Sequence, residues 1–235
     1  MATTTYLQAV NSVLRRLREN EVSTVNETAY SKMIGELVND AKSSVEAAYG
    51  WNALSETLTA TTTVDIFSYV LTGSGVRFRV LNVINDTSDT FLRLAPVSYM
   101  TQQFLPTSPQ KGAPQYYNFN GQDANGDTLV DVFPIPDTAY TLRFNVILPQ
   151  PTLTSDNTII KVPADIVILN AYARAVVERG EDGGLASSEA YALARNLMAD
   201  YISLESNRYV EDTNWVPSWA NRLLHRQYPH RALQD

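Results

Sequence analysis

The chain has 235 residues, a formal net charge of −7, 44% hydrophobic and 18% charged residues, and no cysteine. That length supports one large core or two small ones, and the composition is that of a globular rather than a disordered chain. It excludes disulfides and thiolate chemistry and a general phosphate-gripping surface. With no apolar run near about 18 residues, it also offers no helical membrane span.

Thr5 to Glu19 places Tyr6, Val10, Val13, Leu14 and Leu17 at helical spacing, with Arg15, Arg16 and Arg18 off that stripe and Thr4 or Thr5 as the cap. A second helix is predicted over Glu27 to Tyr49, carrying Tyr30, Met33, Ile34, Leu37, Val38, Ala41, Val45 and Ala48 on one face. Asn26 reads as its cap and Gly50 as a positive-φ stop. From Trp51 to Val162 helical periodicity gives way to β-branched and aromatic runs. Strands are predicted over Thr57 to Val64, Ser68 to Leu71, Val76 to Val83, Phe91 to Leu94, Tyr116 to Asn120, Thr128 to Phe133, Tyr140 to Leu148 and Ile159 to Val162. A short helix, Val97 to Phe104, interrupts them, and Asn125-Gly126 marks a hairpin. Helical spacing returns over Asp165 to Arg179. After Gly183-Gly184 it resumes from Ser188 to Tyr209, with Tyr191, Ala194, Leu197, Met198, Tyr201, Ile202 and Leu204 as the stripe.

The fold class read from this order is α+β. A four-helix bundle is made of N- and C-terminal helix pairs (residues 1–50 and 163–211), with an inserted antiparallel β-sandwich or barrel domain (51–162) and an extended C-terminal arm (212–235).

Chemistry-bearing patterns are sparse. The two histidines, His225 and His230, lie in the arm, outside any predicted scaffold, and no nucleophile elbow, H-E-x-x-H or phosphate loop occurs, so the chain is not read as an enzyme. No cofactor or metal is expected. Asp123-Ala124-Asn125-Gly126-Asp127 gathers oxygen ligands but departs from the calcium-loop spacing, and a hairpin turn accounts for it. The arginines at 15, 16 and 18 read as a solvated helix face beside Glu19 and Glu21.

The arm carries a different pattern. From Thr213 to Gln234 the only formal charges are Arg222, Arg226 and Arg231, which leaves −10 on the rest of the chain. Trp215, Trp219, Leu223, Leu224, His225 and Tyr228 stand among them. Aromatics and arginine are the residue types of binding hot spots, and Pro217 and Pro229 favour an extended course. The arm therefore either wraps a partner or folds back over its own helices.

Several segments resemble the head-to-tail adaptors (the tail tubular protein A family) of T7-like phages. They are Leu7-Gln8-Ala9-Val10-Asn11-Ser12-Val13-Leu14, Val22-Ser23-Thr24-Val25, Ala47-Ala48-Tyr49-Gly50-Trp51-Asn52, Gln115-Tyr116-Tyr117-Asn118-Phe119, Val132 to Asp137, Tyr140 to Phe144, and Val162 to Val167. The resemblance covers roughly Leu7 to Tyr209. It implies a structural, ring-forming virion subunit, usually in twelve copies, assembled in the host cytoplasm and seated between the portal protein and the tail nozzle. Double-stranded DNA then passes through the lumen unread, tail fibres are further partners, and no membrane is involved. It also implies that the arm, through Trp215, Trp219, Arg222, Leu223, Leu224, His225, Arg226, Tyr228 and Arg231, docks on portal. The alternative is a tail or receptor-binding module whose β domain takes carbohydrate or fibre, with Tyr116, Tyr117 and Phe119 as its exposed aromatics.

Overall fold

The computed structural model describes residues 3–180 and 185–208. Helix α1 (Tyr6–Arg16) starts at its expected cap. Thr5 Oγ1 accepts from Gln8 N at 3.3 Å and Gln8 Oε1 accepts from Thr5 N at 3.0 Å, which satisfies two orphan donors reciprocally. Helix α2 (Ala29–Ala48) starts two residues later than expected. Thr28, not Asn26, caps it, because Ser31 stands three residues on and its hydroxyl accepts from Thr28 N at 3.0 Å. The helix ends on Tyr49 in extended backbone at φ −153°, so Gly50 is not the left-handed stop expected of it. A Cβ there would lie 3.1 Å from both Arg79 Nη1 and Ile147 Cδ1, a tight contact that the ends of those two side chains would have to ease by a few tenths of an ångström.

Where α1 packs on α2, a Cβ on Gly35 would fall 2.8 Å from Val25 Cγ1 and would overlap the Tyr6 hydroxyl. Gly35→Ala is therefore expected to lose about 1–3 kcal/mol to overpacking, outweighing alanine's helix propensity of about 1 kcal/mol. A lowered urea midpoint checks this.

Helix α4 (Ala164–Arg179) is the centre of the helical part, packing on α1, α2 and α5 (Leu185–Arg208). Ile166, Val167, Ile168 and Val176 are buried along it, and Ala171, Ala173 and Ala175 keep its neighbours close. It stops at Gly180, whose φ of 64° suits glycine, with Gly180 N donating to Val177 O. Helix α5 lies on α4 through Ala190 and Ala194, with Leu197, Met198, Tyr201 and Ile202 half-buried. Leu204, expected on that stripe, is 62% exposed.

Between α2 and α4 a 3-10 turn (Asn52–Leu54) leads into seven strands: β1 (Ser55–Thr61), β2 (Ser68–Leu71), β3 (Arg79–Asn85), β4 (Thr90–Leu94), β5 (Tyr116–Gln122), β6 (Thr128–Phe133) and β7 (Thr141–Ile147). They form one sheet in the order β1-β7-β3-β4-β5-β6-β2, and its two end strands meet, so the sheet nearly closes into a barrel. Period-two alternation sends Leu142, Phe144 and Val146 of β7 inward, with Val130 and Val132 of β6, Tyr117, Val83 and Leu71.

Two expectations for this region are corrected. The sheet is not wholly antiparallel, because β4 and β5 pair in parallel through Arg93–Tyr116 and Leu94–Tyr117. A parallel pair needs a crossover, and here it carries α3 (Val97–Phe104), whose Met100 packs with Phe133 and Ala95. Nor is Ile159 to Val162 a strand. Ile159 makes one isolated bridge to Thr5. The segment instead serves the entry to α1, where Tyr6 N donates to Thr158 O at 2.9 Å and Ile160 N to Thr4 O at 3.0 Å.

The return from β7 to α4 is pinned to the helices by side chains. Asn39 brackets Leu153, accepting from its N at 2.8 Å and donating to its O at 3.1 Å. Lys42 Nζ, on a side chain 1% exposed, donates to Gln150 O and Pro151 O and pairs with Glu46 at 3.3 Å.

Candidate functional site

The nine arm residues singled out in the sequence, Trp215, Trp219, Arg222, Leu223, Leu224, His225, Arg226, Tyr228 and Arg231, lie outside the described residues, as does His230. The described residue range ends on α5. Glu205 Oε1, in the last turn of α5, accepts from Asn52 N at 3.1 Å and fixes that end beside the 3-10 turn entering the β domain. Next to it a cleft of ≈520 Å³ opens, bordered by Glu46, Tyr49, Gly50, Leu54, Arg77, Phe78, Arg79 and Ile147. Burial pushes the Glu46 carboxyl up, and Lys42 beside it pulls it back. Sequence patterning passed over Lys42 and Glu46, because an i,i+4 Lys–Glu pair ordinarily marks an exposed helix face. The only signal was their position next to the Ala41/Val45 stripe.

A second surface, also missed, is an apolar rim at one end of the barrel. The sequence places Val64 in a strand, but β1 stops at Thr61. The Tyr69 hydroxyl then holds the following loop, accepting from Thr63 N at 3.0 Å and placing its single proton between the Thr63 and Ile66 carbonyls. That hydroxyl is pushed up in pKa mainly by burial. Asp65, at φ 65° and ion-paired to Lys111, turns the chain. Val64, Ile66 and Phe67 are left exposed, with the Phe67 ring 4.5 Å from that of Phe104, next to exposed Leu105. The alternation of Val64, Asp65 and Ile66 resembles strand patterning, which hides the turn.

The remaining candidates resolve into structure. Asp123 Oδ1 accepts from Asn125 N at 2.9 Å and Asp127 N at 2.8 Å, and these bonds, Asp127's first, hold its carboxyl below the usual range. Asp127 Oδ1 accepts from Gly73 N and Gly75 N, both at 3.1 Å, tying the hairpin to the β2–β3 loop. The run is a hairpin turn whose carboxylates are occupied by backbone donors. Among the described residues no group of three or more acidic or histidine side chains forms a metal-ligand cluster. Arg15 pairs with Glu21 at 3.1 Å on an exposed face. Tyr117 is 6% exposed and meets Phe119 and Phe144 edge-on, so it belongs to the barrel core and not to a sugar platform.

The described residues thus form helices joined to a small, nearly closed barrel whose rim exposes Val64, Ile66, Phe67 and Leu105. The chain belongs to the SU10 adaptor protein family, whose sequence model matches residues 4–221. That span includes Trp215 and Trp219 and stops before Arg222. It makes the chain a structural virion component that contacts other head and tail proteins. No curated protein matches the chain.

Proposed function

We propose that the chain is the head-to-tail adaptor of a tailed phage, one subunit of a dodecameric ring between portal and tail nozzle through which DNA passes unread. The observation that carries this reading is the family match across residues 4–221, which takes in helices, barrel and the start of the arm. In it residues 1–50 and 163–211 form a four-helix bundle that builds the ring, residues 51–162 face the tail, and residues 212–235 dock on portal. Charge supports the division. The chain outside residues 213–234 carries −10, and an acidic lumen wall does not trap a polyanion. The arm's three arginines and two tryptophans supply steering and anchors.

Native mass measurement alone and with portal tests the assembly, with a ring expected on portal. A chain ending at Asp212 is expected to keep its far-UV helical signal and lose portal binding. Normal docking by that shortened chain would remove the arm from the reading.

A further inference from the structure

Among the described residues the apolar cluster of the helices and that of the barrel share no member. Two stretches of chain join them, residues 49–54 and 148–153. Both enter the barrel at one place, because Ser55 opens β1, Ile147 closes β7 and the two are register partners. Leu148 N donates to Leu54 O at 2.9 Å and carries that pairing one step toward the helices. The barrel is thus attached through a ribbon two strands wide, which is about 5 Å across. Beside the ribbon the ≈520 Å³ cleft is lined by Glu46, Tyr49 and Gly50 from the helical side and by Arg77, Phe78 and Arg79 from the barrel side. Packing on that side leaves the barrel room to turn.

The two stretches are held to the helices by different means. The first is held mainly by burial of Trp51 and Leu54, with Trp51 Nε1 donating to Val45 O at 2.8 Å, and burial is non-directional. The second is held by directional bonds from one polar stripe of α2. Asn39, Lys42 and Glu46 stand at i, i+3 and i+7, on one helix face. Asn39 engages both Leu153 N and Leu153 O, Lys42 Nζ donates to Gln150 O and Pro151 O, and Glu46 Oε1 accepts from Gln150 N at 3.2 Å. Every backbone donor and acceptor of Gln150, Pro151 and Leu153 is therefore answered by this stripe. Two further ties lie at the surface: Glu205 with Asn52 N, and Lys161 at 4.0 Å from Glu56. Exposed pairs of that kind hold little.

We propose that the Asn39/Lys42/Glu46 stripe is a clamp that fixes the barrel in one pose on the helices. A buried ion pair adds little net stability over an apolar replacement but demands one geometry, and here that geometry is imposed on the backbone of the ribbon that carries the barrel. Without the clamp the helices and the barrel each keep their own core, and the angle between them is released. This holds whatever the barrel contacts.

The absence of native cysteine lets two introduced cysteines take spin labels cleanly. Lys32 on α2 and Ala139, in the loop before β7 at the end of that strand away from the ribbon, are both exposed. In the full-length chain carrying Lys32→Cys and Ala139→Cys, pulsed electron–electron resonance is expected to give a single narrow distance. Lys42→Met with Glu46→Leu, and separately Asn39→Ala, are each expected to lose that narrow distance and spread it over a range. A pair within the barrel, Ala124→Cys with Ala139→Cys, is expected to stay narrow throughout, which separates release of the pose from loss of the fold. Asn39→Ala leaves no charge unpaired, so it decides the matter alone if the double variant disturbs the barrel pair. A broad Lys32–Ala139 distance in the parent chain would overturn the proposal, as would one that stays narrow in every variant whose barrel pair is intact.

Discussion

Lys42→Met is expected to destabilise the protein by about 3–5 kcal/mol, the range for removing one partner of a buried ion pair. Lys42 and Glu46 side chains are 1% and 3% exposed, so the variant strands a carboxylate away from water. It also leaves the Gln150 and Pro151 carbonyls without their donor, and these lie on the segment that returns the chain from barrel to helices. Replacing both partners, as Lys42→Met with Glu46→Leu, is expected to recover part of the loss, because the stranded charge goes but the carbonyls stay unanswered. Urea unfolding of the two variants measures the difference.

The same pair gives a pH signature. Burial holds the folded Glu46 carboxyl above its ordinary 4.5, with Lys42 opposing. A carboxyl raised on folding takes up its proton first in the folded state. Its stabilising contribution is therefore complete below 4.5 and is lost as pH rises through the folded value. Without Lys42 the folded value rises further. The deficit of Lys42→Met is expected to be largest near neutrality and to narrow as pH falls toward 4.5.

Phe144→Ala is expected to cost about 3–5 kcal/mol through loss of buried area and the cavity left behind. Phe144 is 0% exposed at the centre of β7, between β1, where it faces Leu58, and β3, where it faces Val83. Its ring also meets Tyr117 from the far side of the barrel, with centroids 6.0 Å apart. Loss of near-UV ellipticity at a lower temperature, while the helical far-UV signal persists longer, is the expected observation.

Local pattern made most elements legible. The Thr5 cap, the Val38/Ala41/Val45 stripe, the Asn125-Gly126 hairpin and the alternation of Leu142, Phe144 and Val146 each depend on residues close in sequence, and each is present. Where elements shifted, a tertiary partner decided. Ile159 is strand-like but spends its neighbours' hydrogen bonds on the start of α1. Gly50 lies close to Arg79 and Ile147 rather than in a left-handed turn, although nothing next to it in sequence says so.

By itself the sequence determined that the chain alternates helices, strands and helices, lacks cysteine, and ends in a basic, aromatic arm on an acidic body. These follow from composition and from periods of 3.6 and two residues, which need no knowledge of contacts. The tertiary structure alone decided that the strands nearly close, that β4 and β5 run parallel, that Lys42 and Glu46 are interior, and that a cleft opens between the end of α2 and the start of β3. Each of these joins residues far apart in the chain, and strand order, burial of a charge and the shape of a cleft are properties of packing rather than of any local run.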